Sequence, residues 1–176
     1  MDRTRDGHIL RSTLALLVEV GFDNLRMEDV AEHASVGLST IYRRWPTRDQ
    51  LIIAAVRAGF EPGESVNVAS DDSPRDQLHD LARALNDDGA RLIQGLVLAI
   101  QRDPQLADAF RESWLNPRLE ALRGALQKTG RGARARQGLL ADIGPALVTF
   151  RLLMTHEPID AKFIDRIVDE IIEPLS

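Results

Sequence analysis

The chain has 176 residues, 44% of them hydrophobic and 28% charged, which suits one or two small domains and excludes a disordered chain. It has no cysteine, which excludes disulfides, thiolate catalysis and cysteine-held metal and fits a reducing cytoplasm. The net charge of −5 argues against a nucleic-acid binder taken whole, but residues 1–57 hold eight arginines against eight acids, and the rest of the chain carries all the excess acid. Arg43, Arg44 and Arg48 fall within six positions. Screening acts over ~8–10 Å, so such a local patch attracts phosphate beneath an acidic body. The first residues, MDRTRDGHIL, carry no long apolar run, so neither a signal peptide nor a membrane span is expected.

Helical periodicity runs almost everywhere, and the fold class expected is all-α, with about nine helices. A first helix over Thr4–Val20 buries Ile9, Thr13, Leu16, Leu17 and Val20, and Gly21 stops it. A second, over Met27–Ala34, puts Met27, Val30, Ala31 and Ala34 on one face. After a turn at Ser35, Val36 and Gly37, a third runs from Leu38 to Trp45, with Leu38, Ile41, Tyr42 and Trp45 inward; Pro46 ends it. Thr47 and Gln50 form a capping pair for a fourth, reaching about Phe60.

Glu61 to Ser73 reads as a loop and a boundary, giving expected domains at 1–60 and 61–176. Ser73, Pro74 and Asp76 start the fifth helix; the sixth spans about Ala90–Arg102. Asp103 caps the seventh, which Asn116-Pro117 should kink or restart. The glycine- and arginine-rich stretch Thr129–Gly138 is expected to be mobile. The eighth helix covers about Gln137–Thr155, with a kink expected at Gly144-Pro145, and Asp160 caps the ninth.

The second and third helices, joined by a short turn, have the geometry of a helix-turn-helix. Small Ala31 allows a close crossing, and the third helix leaves Ser39, Thr40, Arg43 and Arg44 outward and almost free of acid. Such a helix can enter a major groove ~12 Å wide. Thr40 and Arg43 are placed for base edges. Tyr42, with its ring packed inward, can offer its hydroxyl to a phosphate, and Arg44 and Arg48 suit phosphates.

The string VGLSTIYRRWPTRDQL, with GFDNLRMEDVAEHAS before it, resembles the DNA-binding segment of TetR-type repressors over about the first 55 residues. The resemblance implies phosphate contacts at Tyr42 and at Arg48, where lysine is usual, and base contacts at Thr40 and Arg43. Arg26 stands where Ser or Thr usually caps the second helix and meets phosphate. Ser35 replaces the usual turn glycine.

The same resemblance implies that the remaining helices sense a ligand and dimerise. Expected partners are a double-stranded palindromic operator, a second copy of the chain and a small apolar or amphipathic effector; no cofactor, metal or membrane is expected. Leu81, Leu96, Phe110, Trp114 and Phe150 are candidate pocket lining, with Gln94, Gln101 and Arg151 as polar residues able to orient a ligand. The last two helices are more apolar than a monomer's outer helices should be. Leu147, Phe150 and Leu153, with Phe163, Ile167 and Ile171, form a candidate two-fold interface.

Two alternatives stay open on residues alone. One is a helical protein–protein adaptor without DNA binding. The other is a carboxylate metalloenzyme, which needs paired Glu-x-x-His motifs; only Asp76-x-x-His79 comes near.

Overall fold

A computed structural model of the protein describes residues 3–59, 72–85, 88–128 and 134–175, and every regular element among them is helical. Most of the loop expected over 61–73, and the first half of the stretch expected to be mobile over 129–138, fall outside the described residues. Two compact units emerge. One comprises Met1–Glu61 and Arg91–Trp114, the other Pro62–Ala90 and Leu115–Ser176.

The first unit holds α1 (Arg3–Val20), α2 (Met27–His33), α3 (Leu38–Tyr42), α4 (Arg48–Gly59), most of α6 (Asp88–Arg102) and α7 (Pro104–Phe110). α1 ends where the periodicity stops: Gly21 adopts φ +78° and its N–H bonds Leu17 O at 3.1 Å. Only glycine takes that conformation without strain. The core joins Ile9, Leu16 and Leu17 of α1 to Val30, Ile41, Leu51 and Ile52, with Leu96 and Leu106 from α6 and α7. Thr13 sits in it fully buried, its hydroxyl donating to Ile9 O at 2.8 Å, so no polar atom is stranded. Asp103 caps α7 by accepting from the backbone N–H of Gln105 and Leu106.

The second unit holds α5 (Pro74–Ala84), α8 (Asn116–Lys128), α9 (Arg134–Phe150), α10 (Ala161–Ile167) and the short α11 (Glu173–Leu175). Ser73 and Asp76 form the reciprocal capping box at α5, and Asp160 caps α10 by accepting from Phe163 N–H at 2.8 Å. Leu78, Leu126, Leu140, Ile164 and Ile172 are its most deeply buried large side chains. α9 is continuous through Pro145, and Gly144 lets it approach α5: a Cβ there would lie 2.7 Å from Leu78 Cδ2.

Among the described residues, three π-helical turns adjoin the α-helices, at Arg111–Leu115, Arg151–Thr155 and Val168–Ile172. Two of them end two residues before a proline, Pro117 and Pro174. A proline lacks an N–H and crowds the carbonyl four residues back. The disturbance expected at Asn116-Pro117 is thus taken up as a widened turn, and the helix runs on as α8. The remaining π turn, Arg151–Thr155, ends α9 at His156, which is left-handed with φ 55°.

Candidate nucleic-acid interface

α2 starts without a side-chain cap. Arg26 holds the N-cap conformation (φ −117°, ψ 151°) but makes no capping bond. Glu28 and Asp29 lie in the first turn, where carboxylates favour the positive end of a helix. The end of α2 is better closed. Val36 N–H bonds Ala31 O at 2.9 Å and Ser35 N–H bonds Glu32 O at 3.0 Å, with Ser35 left-handed at φ 52°. This is a Schellman closure, whose left-handed position glycine usually fills. Ser35 therefore makes the same turn a glycine would, with strain added.

α3 has five residues, too few to be stable in isolation. Burying a side chain such as fully enclosed Ile41 yields ~1.5–3 kcal/mol, which is what seats this helix. Leu38 and Trp45 pack partly against the same core. Regular helix stops at Tyr42 rather than at Trp45. The next three residues still bond back into it, Arg43 N–H to Ser39 O and both Arg44 and Trp45 N–H to Ile41 O.

The exposed face carries Ser39, Tyr42 and Arg43, with Thr40 half-buried beside them; Arg26 is exposed at the start of α2. Tyr42 departs from expectation: its side chain points outward, 43% exposed, because Ile41 takes the inward position and the next residue is rotated by ~100°. Arg44 departs as well. It turns back to α1, where Nη1 donates to Asp6 Oδ2. Arg43, by contrast, enters no ion pair among the described residues.

Arg48, at the start of α4, is anchored locally. Its guanidinium lies 4.8 Å from the centre of the Phe22 ring, bonds the carbonyls of Phe22 and Asp23 at 3.3 and 3.4 Å, and pairs with Asp49 at 3.2 Å. Thr47 caps α4 by accepting from Gln50 N–H. The arginine is thereby fixed at the edge of the exposed face with a third of its side chain open. Neither Asp6 nor Phe22 was among the expected site residues. Pairings 38 and 26 positions apart leave no local spacing to read.

The five expected pocket residues do not share one setting. Leu96, Phe110 and Trp114 belong to the first unit and Leu81 and Phe150 to the second. Leu96 is part of the first unit's core, and Phe150 is 57% exposed rather than enclosed. Phe110 and Trp114 stack at 5.1 Å. An open cavity of about 370 Å³ in the first unit is lined by none of these five; Gln94, expected as a ligand-orienting residue, lines it with Phe22, Asp23, Asp49, Leu98 and Arg102. Of the expected interface, Leu147, Leu153, Phe163 and Ile171 are half-buried, and Phe163 carries the Arg151 guanidinium 3.6 Å from its ring centre. Ile167 is corrected: at 3% exposure it belongs to the second unit's own core. His79 meets Asp165 at 3.0 Å and is thus a structural contact of α5 with α10.

Known proteins bear on this geometry. A model of bacterial regulatory proteins of the TetR family matches residues 9–55, and one of the tetracyclin repressor-like C-terminal domain matches residues 72–171. The DNA-binding transcriptional repressor TetR of Mycobacteroides abscessus is 32% identical over 96% of this chain and 92% of its own length. An HTH-type transcriptional regulator of Mycobacterium tuberculosis H37Rv is 28% identical over 97% of this chain and 87% of its own. Two solved structures share the fold. A TetR-family regulator from Mesorhizobium loti superposes with a TM-score of 0.71 at 17% identity, covering 99% of this chain and 96% of that one. The multidrug binding protein EbrR, complexed with imidazole, gives 0.67 at 21% identity over 97% and 94%. A chain matched by TetR-family models across both parts of its length, and by a TetR repressor at 32% identity, belongs to the TetR family of DNA-binding transcriptional regulators.

Proposed function

We propose that the protein is a cytoplasmic repressor that binds a palindromic operator as a homodimer and is released by a small apolar or amphipathic effector. The observation that carries the operator reading is the outward face of α3, on which Thr40, Tyr42 and Arg43 stand together beyond a buried Ile41. Arg43 is the base reader, since a guanidinium pairs two-pronged with guanine in the major groove. Thr40 is the second base contact. Tyr42 offers its outward hydroxyl, and Ser39, Arg26 and Arg48 their polar heads, to phosphates.

The dimer reading rests on an unpartnered apolar face. Phe150 and Met154, one turn apart on α9 and its π turn, are 57% and 68% exposed, with Leu147 half-buried before them. The stretch Gly138–Thr155 has a mean hydropathy of 1.3 and is only 28% buried. A partner copy would cover such a face by two-fold symmetry, with Leu153, Phe163 and Ile171 flanking it.

Support for an effector comes from EbrR, whose structures hold imidazole and proflavin. The Phe110–Trp114 stack is the aromatic surface proposed to meet it. Ligand binding then favours a state whose two reading helices are misplaced for the operator. Gel shift tests the whole reading. The chain retards operator duplex, Arg43→Ala retards it more weakly and with less sequence preference, and an effector that quenches tryptophan fluorescence releases the DNA. If the double variant Arg43→Ala/Tyr42→Phe retards operator as tightly and as selectively as wild type, α3 is not the reading element.

A further inference from the structure

We propose that Asp6 is a positioning residue for the DNA-reading helix, acting through Arg44, and that Arg44 spends its charge inside the protein rather than on a phosphate. This rests on the reading that α3 faces DNA. Arg44 Nη1 donates to Asp6 Oδ2 across 38 positions of sequence. The two side chains are only 22% and 18% exposed. Asp6 Oδ1 and Arg44 Nε are buried without a hydrogen-bond partner among the described residues. The contact is therefore single-pronged and sheltered, and removing either partner strands the other charge.

The placement of the pair gives it a task. α3 has five residues and one fully buried side chain, Ile41. A single inward anchor fixes where a short helix sits but resists rotation about its own axis weakly. Arg44, three residues further on, fastens the C-terminal end of the reading segment to α1. Two anchors fix the rotation and, with it, the direction in which Thr40 and Arg43 point. Arg44 is turned to Asp6 on α1, so it and Arg43 serve different sides. Arg43 is the exposed one.

The experiment uses the full chain and the duplex it enriches from a random-sequence pool. Affinity is measured across salt concentrations for wild type, Asp6→Asn, Arg44→Ala, Arg44→Asp and the exchanged pair Asp6→Arg/Arg44→Asp, with a melting curve for each. Asp6→Asn, Arg44→Ala and Arg44→Asp are expected to weaken binding roughly tenfold or more, and the exchanged pair to recover most of the loss. The slope of log affinity on log salt for Arg44→Ala should equal that of wild type, because no phosphate contact has been removed. Arg44→Lys retains the charge and a one-pronged contact and should bind within about threefold of wild type, which covers the case in which other variants unfold.

A slope reduced by about one unit in Arg44→Ala, or tighter binding by Asp6→Asn, would make Arg44 a phosphate contact and overturn the proposal. Failure of the exchanged pair to recover binding while it melts like wild type would do the same. A wild-type chain that enriches no duplex removes the DNA reading of α3 and this proposal with it, an outcome distinct from failure of the exchange.

Discussion

The Asp165 carboxylate of α10 lies 3.0 Å from Nε2 of His79 on α5. The same oxygen accepts from Arg75 at 2.8 Å, and Arg75 also reaches Asp169 and Glu173 further along that face. His79 first, then Arg75, hold the Asp165 carboxyl below its ordinary 3.8. A carboxyl depressed in the folded state stabilises it above the unfolded value, and that contribution is lost as pH falls below it. Asp165→Asn should therefore melt below wild type at pH 7, with the gap closing towards pH 3. Circular dichroism melts at the two pH values check this. A gap independent of pH would mean that the carboxylate's charge contributes nothing, the usual outcome for an isolated exposed pair.

The left-handed serine between α2 and α3 offers a second test. A non-glycine residue in that conformation costs roughly 1–2 kcal/mol, and a glycine there returns part of it as backbone entropy in the unfolded chain. Ser35→Gly should raise stability by about 0.5–1 kcal/mol, or roughly 1–4 °C in Tm for a chain of this size. Operator affinity should hold within about twofold, since the turn keeps its Schellman bonds. Calorimetry reads the first quantity and anisotropy with labelled duplex the second. A lower Tm would show that the serine hydroxyl stabilises the turn.

Arg43 and Tyr42 should separate specificity from affinity. Loss of a two-pronged guanine contact costs about 1–3 kcal/mol and relaxes preference at one base pair per half-site. Arg43→Ala is expected to do both. Tyr42→Phe should weaken binding to all sequences alike, by about 0.5–1.5 kcal/mol for one hydrogen bond. Competition with operator and scrambled duplex distinguishes the two patterns. A sequence-selective loss in Tyr42→Phe would reassign that residue to a base.

Phe150 and Ile167 differ in burial, not in hydrophobicity. Phe150→Glu should leave a folded monomer, because the side chain is already open to water. Ile167→Glu, at 3% exposure, puts a charge into the core and should unfold the second unit. Sedimentation equilibrium with circular dichroism tests both. A Phe150→Glu chain that stays dimeric moves the interface off this face.

Local signals in the sequence carried far. The caps at Ser73, Asp103 and Asp160 and the stop at Gly21 were legible because each depends on residues one to four positions apart. The same holds for the spacing that seats Ile41 inward. What depends on distant pairing was not legible. Nothing near Arg44 announces Asp6, and nothing near Arg75 announces carboxylates 90 to 98 positions away. The spacing of apolar residues places Tyr42 inward because the apolar set of α3 is wider than the face a five-residue helix buries. Ile167 and Ile171 lie on one stripe, and periodicity cannot separate a residue facing its own core from one left at the surface.

Selection of duplex DNA by the 176-residue chain from a random-sequence pool tests the central claim, that α3 reads DNA, most directly. Enrichment of an inverted repeat is expected, with half-site centres about 10–10.5 base pairs apart or a multiple of that. In the pool selected by Arg43→Ala, one position in each half-site should lose its preference. A wild-type pool with no enriched sequence, or an Arg43→Ala pool identical to it, would contradict the claim.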